Sequence, residues 1–461
     1  MIEPAVKINA TLPSTWIVAA IDDVTTISPK SCADGVDHED PVHFIPMAAV
    51  SENFGGIDIS QLRPYGEVRK GYTSFSEGDV LFAKITPCME NGKGGLVPSL
   101  SYTYAFGSTE FHVLRPTHAL LPRWLAHYLS QPDFRKIARQ NMTGTAGQMR
   151  VSSRWLAETG IPLAPVDEQT RIVEKLEELL SDLDAGVIEL KAAQAKLTRY
   201  RQSLLKTVVE GKDNDTPYPQ VPLAELTKEI GQGWSPKCEE KPAVEVQRWG
   251  VIKTTAIQPQ AFDGAHNKAL PIGFQPRPHL ELKVGDLLIT RAGPRNRVGI
   301  CCLVRSTRQK LMLCDKAYRI RCDTSRVEAE FLELVLNAPQ FVQQIDALKT
   351  GISDSGLNLT QDRFLTINIP LPSLDRQRQL MAEIESIEAM LHEQAMAINS
   401  ALAQSTAQRN NILRAAFSGQ LVPQDPNDEP ASALLARIRA QREADTGTPA
   451  SKRGRKAKGA A

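Results

Sequence analysis

Apolar residues recur with a heptad spacing in two long segments of the chain. In the first segment, spacings of four and three alternate along Ile172, Leu176, Leu179, Leu183, Leu190, Leu197, Tyr200 and Leu204. The same register returns 208 residues later at Leu380, Ile384, Ile387, Leu391, Ile398 and Ile412. Apolar residues with this spacing form a seam along one side of a helix, and the seam is buried only when it packs against a partner helix. We therefore predict that the two helices pair within the chain as an antiparallel coiled coil. The alternative is that each helix packs on its own globular neighbour.

The ends of the two helices carry matching signals. Asp167 and Asp375 follow a proline and lie where N-caps are expected, while Gly211 and Gly419 lie where a left-handed C-terminal residue is expected. We place the helical segments at residues 166–212 and 374–420, and two globular domains at residues 1–165 and 213–373. Residues 421–461 form a tail with a short helix and a basic end, Ser451–Gly459, that is predicted to be disordered.

The chain is an internal duplication. "GDVLFAKITP" (residues 78–87) returns as "GDLLITRAGP" (residues 285–294), and the Thr-Gly pair at 143–144 returns at 350–351, both 207 residues later. "IPLAPVDEQTRIVEKLEELL" (residues 161–180) returns as "IPLPSLDRQRQLMAEIESIE" from residue 369, at an offset of 208. A register held over most of the chain indicates two copies of one unit related by a pseudo-twofold axis.

Each globular domain combines strands and helices, so the predicted fold class is α+β. The segments "GDVLFAKI" and "GDLLITRA" read as strands entered through a Gly-Asp turn. "LPRWLAHYLSQPDFRKIARQ" and "AEFLELVLNAPQFVQQIDAL" have helical apolar spacing, and in the first of them a proline follows the first segment. Helices of roughly 45 residues span about 65–70 Å. Two such domains, held apart by a rigid rod, are suited to reading two parts of one DNA site.

Composition narrows the function classes. The chain is 42% apolar with a net charge of +1, but residues 237–326 hold 17 Lys and Arg against 8 Asp and Glu. A local basic patch is typical of a polyanion partner, although a basic soluble domain would look the same. Without an apolar run of eighteen residues or a signal peptide, the protein is expected to be cytoplasmic. The adjacent Cys301 and Cys302 are expected to be buried, and neither a metal site nor a cofactor is predicted.

The duplicated segments resemble the specificity subunit of type I restriction–modification enzymes. The resemblance rests on residues 161–212, on the second copy that ends "RNNILRAAFSGQLVP", on the two Gly-Asp strands and on the "TGTAGQMRVSSRWL" loop. It implies a subunit without an active site, which clamps double-stranded DNA with two target-recognition domains. Two methyltransferase (modification) subunits, which methylate adenine, would bind its helices, and motor–nuclease (restriction) subunits would join them.

The second copy departs from this pattern in two places. Arg376 stands where the first copy has Glu168, and "TGISDSGLNLT" replaces "TGTAGQMRVSS". Equivalent contacts at these positions are therefore not implied by the resemblance.

Motifs that would make the chain an enzyme in itself are weak. There is no Asn/Asp-Pro-Pro-aromatic motif and no Gly-Lys-Ser/Thr motif. The glycine-rich "ENGKGGLV" (residues 90–97) reads as a hairpin turn or as a phosphate cradle. Only a loose match to the acidic residues and lysine of a nuclease active site is present, at Asp263, Glu281 and Lys283. A self-contained nuclease or methyltransferase, and a scaffold that binds proteins, are kept as alternatives.

Cationic and amide residues beside strand ends are the candidates for DNA contact. Arginine can grip guanine in a bidentate way, and asparagine or glutamine can do so with adenine. The alternative for each residue is a phosphate contact or a solvated charge. The candidate set is Lys84, Lys93, Gln148 and Arg150 in the first copy and Arg291, Arg295, Asn296 and Arg297 in the second.

Overall fold

The computed structural model describes residues 6, 11–29, 35–145, 147–213 and 216–447. The chain forms two compact units. Unit 1 comprises Met1–Glu189 and Ala401–Ala461, and unit 2 comprises Leu190–Ser400. Each unit therefore holds one globular domain and part of each long helix. The basic end Ser451–Gly459, for which disorder was predicted, lies outside the described residues.

Eleven α-helices lie in the described part of the chain. In unit 1 the short helices α1 to α5 are Ile21–Val24, Tyr65–Val68, Pro122–Ser130, Pro132–Gln140 and Ser153–Glu158. The long helix α6 is Val166–Val209, and it is followed in unit 2 by α7 (Ala329–Asn337), α8 (Pro339–Leu348) and α9 (Gln361–Leu365). The second long helix, α10, is Leu374–Phe417, and α11 is Ala431–Gly447. The predicted interruption at Pro132 is confirmed, and the second copy is interrupted in the same way at Pro339.

The strands of unit 1 form two four-stranded sheets and two ribbons. Strands β1 to β12 are Ile17–Ala20, Thr25–Ile27, Pro41–Ile45, Leu62–Pro64, Thr73–Phe75, Val80–Ala83, Gly94–Leu96, Ala105–Gly107, Phe111–Pro116, Met142–Thr143, Arg150–Val151 and Gly160–Leu163. The sheets have the orders β4-β3-β8-β5 and β2-β9-β6-β7, and the ribbons are β1-β12 and β10-β11.

Unit 2 repeats this layout. Strands β13 to β27 are Lys212–Asp213, Thr216–Pro217, Gln220–Pro222, Thr227–Gln232, Gly250–Ile252, Ile257–Gln258, Ala261–Phe262, Asn267–Ala269, Leu287–Thr290, Ala292–Gly293, Cys301–Leu303, Leu311–Met312, Ala317–Cys322, Leu357–Asn358 and Asn368–Pro370. The sheet β16-β25-β21-β23 matches β2-β9-β6-β7, and the ribbon β15-β27 matches β1-β12. The mixed α and β architecture and the duplication are confirmed.

The Gly-Asp turn is built in the same way in both copies. Gly78 and Gly285 have φ angles of 81° and 91°, a region in which glycine is least strained. The aspartate that follows is buried and pairs with an arginine on the neighbouring strand. Asp79 lies 2.7 Å from Arg115, and Asp286 lies 3.1 Å from Arg321. A buried carboxylate needs such a partner, and the pair therefore fixes how the strand enters its sheet.

The two long helices run antiparallel. Within unit 1, Asp184 of α6 forms an ion pair with Arg409 of α10. Within unit 2, Gln194 donates to Asn399 at 3.2 Å, and Arg201 lies 2.6 Å from Glu388. Partner numbers on α10 fall as those on α6 rise, which confirms the predicted intramolecular pairing. Most residues of the predicted seam are buried or half-buried, but Tyr200 is 51% exposed, and its placement on the seam was wrong.

Each long helix also completes the core of a globular domain. In unit 1 the ring of Phe417, at the end of α10, lies 4.8 Å from Trp124 and 5.2 Å from Tyr128 between centroids. In unit 2, Leu205 and Val208 of α6 belong to the same buried cluster as Leu380 and Ile384 of α10. The coiled coil and docking on a globular domain, which the sequence analysis treated as alternatives, therefore both occur. The following list names the core of unit 1 around this junction: Trp16, Leu125, Leu129, Ile161, Leu163, Ile172, Val173, Leu176, Ile412, Leu413 and Ala416.

The predicted helix ends are confirmed only in part. The helices begin one residue before Asp167 and Asp375, so these residues are not N-caps. Their carboxylates lie in the first turn, where negative charge interacts favourably with the helix dipole. Gly419 adopts the left-handed conformation with φ 72°. Gly211 has no positive φ, and its prediction as a left-handed residue was wrong.

A fully buried glutamine fastens the start of each long helix to its globular domain. Gln169 accepts a hydrogen bond from the Leu121 amide and donates to the carbonyl groups of Ala119 and Ala164, all at 2.9 Å. Gln377 makes the same three bonds with the Glu328 amide and the carbonyl groups of Arg326 and Pro372, at 2.8–3.1 Å. A carboxamide supplies both a donor and an acceptor without charge, so it satisfies a buried backbone from both sides.

The residue before this glutamine differs between the copies. Glu168 is buried and accepts hydrogen bonds from the Trp16 indole at 2.9 Å and from Gln424 at 2.6 Å. Burial raises the pKa of the Glu168 carboxyl, and these two donors oppose the rise. Arg171 next to it pairs with Asp428 at 2.6 Å. The segment after α10 is thereby tied to unit 1, while Arg376 in unit 2 pairs with Glu383 at 3.2 Å.

The Gln169→Ala substitution is expected to destabilise unit 1 selectively. It orphans one buried amide and two buried carbonyl groups, which costs about 2–5 kcal/mol in free energy of unfolding. Hydrogen exchange followed by mass spectrometry should show faster exchange in peptides from residues 115–180, and Gln377→Ala should do the same in peptides from residues 322–390. Gln202→Ala, at an exposed position of α6, is the control. Equal exchange in Gln169→Ala and wild type would contradict the account.

Candidate nucleic-acid interface

Three chain segments meet where β6 ends in unit 1. The Lys84 amide donates to the Glu110 carbonyl at 2.9 Å, and the Val151 amide donates to the Lys84 carbonyl at 2.8 Å. Lys84 follows β6, Glu110 precedes β9 and Val151 closes the β10-β11 ribbon. We call this arrangement, with the side chains of Lys84, Glu110 and Arg150, the strand-exit site of unit 1. The backbone is held on every side, so the site presents its side chains from a rigid base.

Arg150 and Glu110 form a bidentate ion pair in this site. Arg150 Nε lies 2.9 Å from Glu110 Oε2, and its terminal nitrogen lies 2.8 Å from Oε1. The pair lowers the pKa of the Glu110 carboxyl, chiefly through the Arg150 hydrogen bonds, and raises the pKa of Arg150. Because the pKa of Glu110 lies below its usual value, the pair is complete at neutral pH. It is lost only as the pH falls through that lowered pKa.

Lys84 and Gln148 remain available in unit 1. Neither side chain has a hydrogen-bond or ion-pair partner among the described residues, and Gln148 is exposed. Arg150 shares the site with Lys84, and it also donates to the Gln148 carbonyl at 3.3 Å. The fold thus brings together three of the predicted residues, Lys84, Gln148 and Arg150.

Lys93 has a different environment. Its ammonium group donates to the Met47 carbonyl at 3.0 Å and is engaged within the fold. Residues 84–93 connect β6 and β7, which pair antiparallel with Val80 opposite Leu96, and the glycine-rich segment covers the end of this connection and β7. The hairpin-turn interpretation of "ENGKGGLV" is therefore confirmed. Lys93 stays a predicted DNA contact, with an internal bond that competes for its charge.

Unit 2 contains an equivalent strand-exit site. The Arg291 amide donates to the Lys316 carbonyl, and the Leu359 amide donates to the Arg291 carbonyl, both at 2.8 Å. These bonds match those of Lys84 in unit 1 one for one. Lys316 and Asn358 therefore occupy the positions of Glu110 and Arg150. Neither residue was predicted, although offsets of 206 from Glu110 and 208 from Arg150 lead to them.

Arg291 is oriented by its neighbours. Its Nε donates to the Tyr318 hydroxyl at 3.2 Å, and another nitrogen donates to the Asp315 carbonyl at 3.0 Å. The guanidinium also lies 5.5 Å from the centroid of the Tyr318 ring. A planar cation that is fixed in this way is suited to bidentate recognition.

The predicted Arg295–Arg297 cluster divides into three different environments. Arg295 is exposed and pairs with Asp354 at 2.9 Å and Asp346 at 2.8 Å. Asn296 is exposed and has no hydrogen-bond partner among the described residues. Both line a groove of about 980 Å³ whose other walls include Leu205, Val298 and Val342.

Arg297 turns inward. It donates to the carbonyl groups of Thr254 at 2.6 Å and Ile257 at 2.9 Å, and to the Gln258 side chain at 3.2 Å. Three bonds, to buried Ile257 and to half-buried Thr254 and Gln258, give Arg297 a role in holding the loop together. Its place among the predicted DNA contacts is therefore the weakest of the set.

Comparison with known proteins relates this layout to one family. Residues 13–192 match a family model described as the type I restriction modification DNA specificity domain. The Escherichia coli type I restriction enzyme EcoEI specificity subunit is 30% identical over 464 aligned positions, which cover 81% of this chain and 78% of that protein. The chain belongs to the type I restriction enzyme specificity subunits.

Other relatives agree over the full length of the chain. The EcoKI specificity subunit of Escherichia coli strain K12 is 24% identical over 96% of this chain and 98% of its own. A chain solved in work on complex assembly and conformational transition of the type I R-M system has a TM-score of 0.69, at 22% identity and 89% coverage. The HsdS subunit from Thermoanaerobacter tengcongensis has a TM-score of 0.58 over the same share. The fold of this specificity subunit is thus shared along its length.

Residues considered for catalysis have structural roles in this specificity subunit. Asp263 accepts a bond from the Ala265 amide at 2.9 Å, and Glu281 accepts one from the Lys310 amide at 2.5 Å. In the part of the chain that the structure describes, no group of three His, Cys, Asp or Glu side chains could hold a metal ion. No described helix is long and apolar enough to cross a membrane. Cys301 and Cys302 are buried as predicted, and burial raises the pKa of Cys302 to about 12.

The Arg297→Ala substitution is expected to lower the free energy of unfolding by about 2–4 kcal/mol, since it removes three charged hydrogen bonds to buried and half-buried partners. The measurement is urea unfolding followed by tryptophan fluorescence. Asn296→Ala, one residue away and exposed, is the matched control and should stay within about 0.5 kcal/mol of wild type. An Arg297→Ala protein as stable as the control would show that Arg297 is not structural.

Proposed function

We propose that this specificity subunit reads a split DNA sequence, with one strand-exit site on each half. The observation that carries the proposal is that one backbone arrangement is built twice with different side chains. Unit 1 presents Lys84, Glu110 and Arg150, and unit 2 presents Arg291, Lys316 and Asn358 in their place. Different donor and acceptor sets on the same base read different base pairs, so the two halves of the site should differ in sequence.

The long helices are the proposed spacer. Each is 44 residues long, or about 66 Å at 1.5 Å per residue, and each contributes to both units. Two readers that bind the same face of B-DNA need centres about 34–36 Å apart, or a multiple of that distance. The antiparallel pairing of α6 with α10 supports a fixed gap, because neither helix is free to move without breaking the seam.

The chemistry of the complex is assigned to partners. Following the family resemblance, we propose that two methyltransferase subunits, acting on adenine N6, dock on the helical segments, and that motor–nuclease subunits join them. The subunit itself would be non-catalytic and would need no cofactor. The two alternatives, a self-contained DNA enzyme and a protein-binding scaffold, are supported by no side-chain constellation among the described residues.

DNA binding by the subunit, reconstituted with its methyltransferase partners, is expected to depend steeply on salt. Neutralised phosphates release counterions, so affinity should fall by about 1,000-fold or more between 50 and 200 mM salt if six or more phosphates are contacted. Gel-shift titrations on DNA with and without the recognised sequence measure both this slope and the specificity. Binding that is unchanged by salt would favour the scaffold alternative.

Lys84→Ala and Arg291→Ala should each relax the sequence of one half-site only. Loss of a base contact costs about 1–3 kcal/mol of discrimination at one position. The modified motif, determined by methylation sequencing in cells that carry the partners, is the readout. Lys196→Ala, an exposed lysine on α6, is the control and should leave the motif unchanged. A uniform loss of methylation at all sites would instead make either residue a phosphate contact.

A further inference from the structure

The two strand-exit sites share a backbone but not a chemistry. In unit 1, two opposite charges are joined as the Arg150–Glu110 pair. In unit 2, the equivalent positions hold Asn358 and Lys316, which cannot form such a pair. Asn358 is exposed, and its carboxamide has no hydrogen-bond partner among the residues that the structure describes. An exposed amide without internal bonds keeps both its donor and its acceptor for a ligand.

Asn358 is held on a fixed backbone. Its amide donates to the Thr350 carbonyl at 2.7 Å, and its carbonyl accepts from the Thr350 amide at 2.8 Å. Its strand, β26, pairs with β22, with Asn358 opposite Ala292. Leu357 and Leu359 on either side are 4% and 0% exposed. The chain cannot rotate this residue inward without exposing two leucines, so the carboxamide is presented outward in a defined direction.

Two cations belong to the same strand-exit site as this amide. Arg291 lies on the adjacent segment and is oriented by Tyr318, and Lys316 is exposed with no ion-pair partner among the described residues. Cations beside a neutral amide are typical of a contact in which the charges hold phosphates and the amide reads a base edge.

We propose that Asn358 is a specificity-determining residue of unit 2, which recognises adenine through its N6 donor and N7 acceptor in the major groove. This inference rests on the proposed function. Asparagine matches that pair of groups with its own acceptor and donor, and it matches no other base edge as well. The equivalent position in the strand-exit site of unit 1 carries a charged pair instead, so the two strand-exit sites read different base pairs.

The test compares methylation motifs for the wild-type, Asn358→Ala and Asn358→Asp subunits, each expressed in cells with the methyltransferase partners. In Asn358→Ala, one A·T position of one half-site should lose at least about fivefold of its discrimination, while the other half-site is unchanged. Asn358→Asp has the same shape and retains only acceptors, so preference at that position should move towards cytosine, whose N4 donates.

Two further variants complete the design. Gln404→Ala, an exposed amide on α10 with no hydrogen-bond partner among the described residues, is the matched control and should leave the motif unchanged. The double variant Lys316→Glu with Asn358→Arg installs the charged pair of unit 1 in unit 2, and it should change the preferred base at the same position. Asn358→Asp keeps the shape of the side chain, and the double variant changes only exposed positions and restores an ion pair. Both therefore remain informative if Asn358→Ala fails to fold.

The outcomes separate this inference from the proposed function. An unchanged motif in the folded Asn358 variants, or a uniform loss of methylation with the motif intact, would overturn the role of Asn358 alone. A wild-type complex that methylates without any sequence motif would overturn the proposed function itself. Relaxation at a single position of one half-site supports both.

Discussion

The antiparallel packing of the two long helices is the constraint on which the rest of the structure depends. Each unit is built from the start of one helix and the end of the other. Phe417 of α10 packs against Trp124 and Tyr128 in the core of unit 1. Leu205 and Val208 of α6 pack into the core of unit 2. Separating the helices would therefore open both cores, and apolar burial opposes that separation.

The duplication conserves what the backbone needs and varies what faces solvent. Gln169 and Gln377 make the same three bonds, because each helix start must satisfy the same buried amide and carbonyl groups. At the strand-exit sites the backbone bonds are also equivalent in the two copies. The exposed side chains of these sites do not have to satisfy buried backbone groups, so they can differ. Variation confined to those side chains leaves the backbone of the two sites unchanged.

Periodicity and repetition predicted most of the fold, whereas the site depended on contacts that spacing does not reveal. The heptad seam and the Gly-Asp strands were predictable because each follows from a local pattern. The internal bonds of Arg297 could not be predicted, because a run of polar residues gives no sign that one of them turns inward. Lys316 and Asn358 were missed because small length changes in the loops shift the offset by one residue on either side of 207.

The most direct test of the account is a gel-shift series with the reconstituted subunit and its methyltransferase partners. The two recognised half-sites are kept constant while the gap between them is lengthened or shortened one base pair at a time. A pair of helices locked in register predicts tight binding at a single gap and a steep loss of affinity one base pair to either side. Affinity that does not depend on the gap would contradict the account.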